Sequence, residues 1–211
     1  MTSDFVRKII TILFNPFVYV TGSKSLGLGL VVIFLAGLIG SSSYTHFDGV
    51  LDTHTGSTTV PLGLFLAEGI IDWLTLSVVL WIFGKMVSPN AFRSIDLFGT
   101  QALARWPTVL ISLLTFPPAY QRFAHDLAAT KPGGKIAFGT PDGEIFLFVV
   151  LLTLTLVFWM IVLMYTAYST SCRVRGGKAI GTFIAGLLLA ELLSEHAIRD
   201  FLRYEIGRAH V

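Results

Sequence analysis

Five apolar stretches dominate the sequence, and each is close to the length that a helix needs to cross a bilayer. A hydrocarbon core of about 30 Å requires roughly 20 helical residues at about 1.5 Å per residue. The stretches cover residues 26–44, 62–84, 97–117, 145–167 and 177–193. This pattern predicts an all-α, polytopic integral membrane protein with five transmembrane helices.

The composition excludes several other classes of protein. Charged residues make up 13% of the chain, about half of the roughly 25% found in an ordinary soluble domain. This low proportion excludes a soluble globular protein and a disordered tail. Lysine and arginine number 15 and aspartate and glutamate 13, so no basic face for nucleic acid is expected. Cys172 is the single cysteine, which excludes an intramolecular disulfide and a cysteine-based metal cluster.

Residues 4–20 precede the first stretch and carry a different pattern. At the angular spacing of an α-helix, the polar residues Asp4, Arg7, Lys8, Thr11 and Asn15 fall within one narrow arc, and apolar residues fill the remainder. This distribution is typical of a helix in the membrane interface with its basic side chains at the lipid headgroups. The sequence therefore predicts an N-terminal interfacial amphipathic helix, and a helix packed on the bundle is the alternative.

Positive charge is distributed unevenly between the loops. The N-terminal region and the segments after the second and fourth stretches together hold eight lysines and arginines, the opposite side holds five, and the loop of residues 45–61 contains none. Short loops rich in lysine and arginine remain on the cytoplasmic side. We therefore expect a cytoplasmic N-terminus and a C-terminus on the outside.

The second and third predicted spans contain the charged residues Glu68, Asp72 and Arg105. Glu68 and Asp72 are four residues apart, so they share one face of the second span. By helical rise, Asp72 lies about 15 Å and Arg105 roughly 18 Å from the outer surface, so the two residues meet in depth. One interpretation is a structural Asp72–Arg105 ion pair with Glu68 reaching water; the other is a proton or cation relay. Pro107, just after Arg105, predicts a kink or break in the third span.

The loop between the first two spans contains four residues that can bind metals. His46, Asp48, Asp52 and His54 occur within nine residues and offer nitrogen and oxygen ligands suited to zinc. Only proximity in sequence brings them together, so we expect that the four side chains do not converge on one point.

Gly177, Gly181 and Ala185 repeat at intervals of four residues in the last span. Small residues at this spacing let another helix approach closely. We expect this ridge to pack against a neighbouring helix of the same chain, with a homodimer face as the alternative.

Several local motifs resemble one family of membrane proteins. They are Asp72-Trp73, Arg93-Ser94-Ile95-Asp96, Ala104-Arg105-Trp106-Pro107, Trp159, Tyr165-Thr166-Ala167-Tyr168 and Gly176-Gly177-Lys178-Ala179-Ile180. Together they resemble bacterial members of the Yip-one (Rab-GTPase-interacting) domain family over residues 14–193. The resemblance implies five spans and a cytosolic N-terminus. The chain lacks the long N-terminal region and the Asp-Leu-Tyr-Gly-Pro motif of eukaryotic members, so we expect no Rab-type GTPase as a partner.

The last seven residues carry a pattern of their own. Residues 205–211, Glu-Ile-Gly-Arg-Ala-His-Val, resemble the translation of a common sequencing adapter. We therefore expect residues 1–204 to form a single Yip-type membrane domain and give the last seven residues no functional role.

The sequence supports three functional hypotheses. The first is a non-enzymatic protein of the bacterial cytoplasmic (inner) membrane, without a cofactor, that organises membranes or binds other membrane proteins or a second copy of itself. The second is a small ion-coupled transporter that uses Glu68, Asp72 and Arg105. The third is a metal-dependent membrane hydrolase that uses the histidines and aspartates of the first loop.

The expected orientation gives the first testable prediction. A cysteine introduced at Thr53 should react with an impermeant reagent applied from outside, because its loop is expected to be external. A cysteine at Asn90 should not react, because the loop after the second span is expected to be cytoplasmic. Labelling at Asn90 but not at Thr53 would reverse the orientation.

Overall fold

The computed structural model describes residues 2–56, 60–130 and 137–209, and about 80% of the chain is helical. The helices are α1 (Thr2–Phe14), α2 (Gly22–Ser43), α3 (Leu62–Val87), α4 (Ser94–Ala104), α5 (Pro107–Leu114), α6 (Pro118–Ala129), α7 (Pro141–Cys172) and α8 (Gly176–Ala209). Two short strands, β1 (Thr45–His46) and β2 (His54–Thr55), form an antiparallel pair between α2 and α3. The all-α class predicted from the sequence is confirmed.

Within the described part of the chain, four helices are long and apolar enough to cross a membrane, namely α2, α3, α7 and residues Gly176–Phe201 of α8. The remaining predicted span, residues 97–117, is not a single helix: α4 ends at Ala104 and α5 begins at Pro107. Proline has no backbone N–H and its ring clashes with the carbonyl four residues earlier, so a helix readily stops before it. The expected break is present, and a fifth single-helix span is not confirmed.

Three other boundaries differ from those expected. Helix α1 ends at Phe14, not at residue 20, and a 3-10 turn follows at Pro16–Val18, where Pro16 cannot continue the preceding α-helix. Residues 118–129, expected as loop, form α6. Helix α8 continues past the apolar stretch of residues 177–193, as expected through Arg203, and ends only at Ala209. The last two residues of the adapter-like segment, His210 and Val211, lie outside the described part of the chain.

The helices pack around one large and one small cluster of buried apolar side chains. Helix α2 lies along α4, α3 lies against α8, and α7 contacts α4, α5 and α6. The α2–α4 contact is very close at Gly29, where a Cβ atom would come within 2.4 Å of the Cβ atom of Ala102. The largest cluster of buried apolar side chains includes Leu76, Leu80, Leu97, Leu163, Met164, Ala167, Tyr168 and Phe183.

The hairpin of residues 45–55 closes one end of this bundle. Its Val50 side chain is buried in the main core cluster. Thr45 shares a hydrogen bond of 2.5 Å between side-chain oxygens with Thr115, just after α5. The Thr55 hydroxyl donates to the Tyr120 hydroxyl of α6 at 3.1 Å. The hairpin is therefore attached to several helices and covers the side chains beneath it.

Candidate functional site

Asp72 and Arg105 come together in the interior of the bundle. Asp72 lies on α3, and Arg105 lies in the break between α4 and α5. Arg105 Nη1 is 3.6 Å from Asp72 Oδ2, and the two residues are 2% and 0% exposed. At this distance the two side chains form an ion pair, but the two atoms are too far apart for a good hydrogen bond. The contact fixes the break of one helix against the middle of another.

Glu68 does not reach water, so that expectation is wrong. The residue is 2% exposed because the hairpin lies over it. His46 Nδ1 is 2.9 Å from Glu68 Oε1, and the Phe47 backbone N–H donates to Glu68 Oε2 at 3.2 Å. Glu68 is therefore an anchor for the hairpin, one helical turn from Asp72.

Glu191 belongs to the same polar region and was missed in the sequence. Its Oε2 atom accepts a hydrogen bond of 2.8 Å from the Leu51 backbone N–H of the hairpin. Glu191 also interacts electrostatically with Arg105 and Asp72. One signal could have revealed it, since Glu191 is the single acidic residue in the predicted fifth span, residues 177–193.

We call Glu68, Asp72, Arg105 and Glu191 the polar centre. Three carboxylates and one guanidinium from α3, α8 and the α4–α5 break meet there under the hairpin. Ser194 of α8 faces Asp72 while its hydroxyl donates to the carbonyl oxygen of Glu191 at 3.1 Å. Glu68 and Glu191 form hydrogen bonds with the hairpin. Asp72 and Arg105 contact each other only at the longer distance of 3.6 Å.

The four candidate metal ligands of the hairpin divide into two sets. Ligand atoms of Asp48, Asp52 and His54 lie within 4.8 Å of one another, so these three side chains are near enough to approach a common ion. His46 instead bonds to Glu68, although its ring stacks on that of His54 with centroids 5.4 Å apart. The turn between the two strands brings the three together, which sequence spacing alone does not reveal.

Asp48 and His54 already satisfy one another within this cluster. Asp48 Oδ1 is 3.1 Å from His54 Nδ1. Their hydrogen bond lowers the pKa of the Asp48 carboxyl and raises the pKa of the His54 imidazole. A divalent ion bound by Asp48, Asp52 and His54 would have to replace this hydrogen bond.

The small-residue ridge of α8 faces outward. Gly177, Gly181 and Ala185 are all exposed, and Cβ atoms added to the two glycines would contact nothing. The buried side chains of α8 lie on its other face and include Ala179, Phe183, Leu187 and Ala190. The expectation that the ridge packs within the chain is therefore wrong for the described residues.

Helix α1 projects from the bundle. Its described apolar side chains are exposed, namely Val6, Ile9, Ile10, Ile12, Leu13 and Phe14. Helix α7 contacts its last residues: Trp159 Nε1 of α7 donates to the Leu13 carbonyl at 3.0 Å, and the Phe14 and Trp159 rings are 6.3 Å apart. Packing on the bundle does not cover the apolar face of α1.

No protein-family model, curated protein sequence or solved structure matches this chain. The functional interpretation therefore depends on the residues and geometry described above.

The buried ion pair generates a stability prediction. Arg105→Met should lower the free energy of unfolding by about 3–5 kcal/mol, because it leaves the Asp72 charge buried without its partner. Combining it with Asp72→Leu should restore most of the loss, since neither charge then remains. Reversible unfolding of the purified protein in mixed micelles measures both effects.

Arg122→Met is the matched control for this experiment. Arg122 forms an exposed pair with Asp142 at 2.8 Å, and exposed pairs contribute little to stability. Its removal should change the unfolding free energy only slightly. A single Arg105→Met variant as stable as the parent would show that the buried pair does not hold these helices together.

Proposed function

We propose that the chain is a non-enzymatic integral membrane protein of the Yip type that organises membranes by binding a second copy of itself or other membrane proteins. The outward position of the ridge formed by Gly177, Gly181 and Ala185 carries this proposal. The local motifs of this sequence that resemble bacterial Yip-type proteins, such as Ala104-Arg105-Trp106-Pro107, support the proposed family.

The physical basis is the way helices associate in lipid. Lipid chains are as apolar as leucine, so helix association relies on close packing of backbones at small residues. Gly177 and Gly181 provide an open groove, and the exposed side chains Ile180 and Ile184 flank it. A partner helix can therefore approach α8 closely and pack against isoleucines on its edge.

The geometry of the polar centre supports binding over ion-coupled transport. A carrier would need a polar path from water to Asp72, yet Asp72 is fully buried and Glu68 is bonded under the hairpin. The cavity beside Arg105 has room for about one water molecule. The Asp72–Arg105 pair therefore fits a structural role.

We further propose that α1 lies in the cytoplasmic interface of a bacterial inner membrane. Its exposed apolar side chains need a cover, and the bilayer next to the spanning helices supplies one. Exposed Lys8 lies on the opposite side of the helix from Ile10 and would meet the headgroups. The Trp159 contact fixes the end of α1 beside α7, where such a helix can leave the bundle.

Substituting the ridge tests the proposed association. Gly181→Leu should abolish or strongly reduce co-purification of a differently tagged second copy, or of other membrane proteins, from native membranes. The fold should be unaffected, because a Cβ atom at Gly181 contacts nothing in the chain. Quantitative mass spectrometry of cross-linked, purified complexes measures the loss.

Gly63→Leu provides a control of identical chemistry. Gly63 lies in the first turn of α3, and a Cβ atom there also meets open space. This variant should retain the partners of the parent. Retention of the same partners by Gly181→Leu would refute the assignment of the ridge as the binding surface.

The placement of α1 is tested by the depth of introduced cysteines. A fluorophore on Ile10→Cys should be quenched by nitroxides on lipid chains, and one on Lys8→Cys by iodide in water. Leu151→Cys, on the exposed face of α7, serves as the lipid reference. Cys172 is fully buried, so the new cysteines react selectively. Equal quenching of both α1 positions by iodide would place the helix in water.

A further inference from the structure

The two ends of the bundle differ in charge. One end, which we call the basic end, comprises residues 22–26, 84–99 and 172–180, where α2, α4 and α8 begin and α3 and α7 end. It contains six lysines and arginines against one acidic residue, Asp96. The six cationic residues are all exposed and are Lys24, Lys85, Arg93, Arg173, Arg175 and Lys178.

Tertiary contacts bring the three segments of the basic end together. The Ser88 hydroxyl donates to the Cys172 carbonyl oxygen at 2.7 Å, which ties the loop after α3 to the end of α7. A Cβ atom at Gly99 would come within 2.7 Å of the Gly22 carbonyl oxygen, so the first turns of α2 and α4 are also in contact. The exposed cationic side chains of these segments therefore share one end of the bundle.

The charges of the basic end are not neutralised within the described part of the chain. None of its lysines and arginines forms an ion pair with a described carboxylate. At the opposite end, by contrast, exposed Arg122 is paired with Asp142, and exposed Arg199 is paired with Glu195. The basic end thus carries an excess of exposed positive charge that attracts anions from outside the chain.

The turn between α7 and α8 presents two of these arginines at the surface. Val174, between Arg173 and Arg175, is 3% exposed. Its backbone N–H donates to the Ser169 carbonyl oxygen at 3.2 Å, and its carbonyl oxygen accepts a hydrogen bond of 2.9 Å from the Ser169 hydroxyl. The buried valine fixes the turn, while the arginines on either side of it are exposed.

We propose that the basic end binds the headgroups of anionic phospholipids. Lys24 and Lys178 lie in the first turns of helices long enough to cross a membrane, so their charges lie where the hydrocarbon ends and the headgroups begin. Lys85 Nζ lies 5.7 Å from the ring centroid of Trp81, and tryptophan is enriched at this depth. Anionic headgroups are therefore adjacent to these charges, whereas an acidic protein would first have to displace them.

Lipid retention tests the proposal. The full chain is reconstituted in nanodiscs that contain equal amounts of anionic phosphatidylglycerol and net-neutral phosphatidylcholine. Native mass spectrometry then counts the lipids that stay bound after release into detergent. We expect phosphatidylglycerol to be retained in several-fold excess. Equal retention of the two lipids would overturn the proposal and would favour an acidic protein as the ligand of this end.

Two double variants assign the lipid preference to the basic end. Arg173→Gln with Arg175→Gln should remove most of the excess, because each arginine near an anionic membrane surface strengthens binding about five-fold. Neither side chain donates a hydrogen bond within the described part of the chain, so the fold should be unaffected. Arg122→Gln with Arg199→Gln removes the same charge from the opposite end and should leave the excess unchanged. An equal loss in both double variants would contradict the proposal, because net charge alone would then select the lipid.

Discussion

The burial of Arg105 is the constraint on which the centre of this bundle depends. A guanidinium cannot lose its proton in a protein, and an arginine at the centre of a spanning helix costs about 2.5–3.5 kcal/mol on insertion scales. Arg105 lies where α4 stops and α5 has not begun, and its charge is balanced by Asp72 of α3. The pair thus fixes the broken segment against an unbroken helix.

The backbone of the hairpin, which is not helical, also depends on buried carboxylates. Non-helical backbone near the membrane must find its hydrogen bonds within the protein. Glu68 of α3 and Glu191 of α8 accept hydrogen bonds from the Phe47 and Leu51 backbone N–H groups, so carboxylates of two helices bind the loop that connects α2 to α3. The same contacts cover Asp72 and Arg105 from that side, which makes the hairpin part of the core.

Local patterns predicted the features that depend on local chemistry, and long-range packing decided the others. Hydropathy located α2, α3, α7 and α8, and Pro107 located the break. Burial of Glu68 was not predictable, because it results from a hairpin that folds back over α3. The outward direction of Gly181 was also hidden, because α8 is apolar on both faces and periodicity cannot distinguish core from lipid.

Helix α8 joins the polar centre to the outer surface of the bundle. One face packs on α3, where a Cβ atom at Gly186 would come within 2.8 Å of Leu80. On the same helix, Glu191 accepts a hydrogen bond from the hairpin, and Gly181 lies exposed on the other face. Gly181 and Glu191 are about 15 Å apart along the axis. A helix held so firmly on its inner side presents a rigid outer surface, and rigidity lowers the entropic cost of binding a partner there.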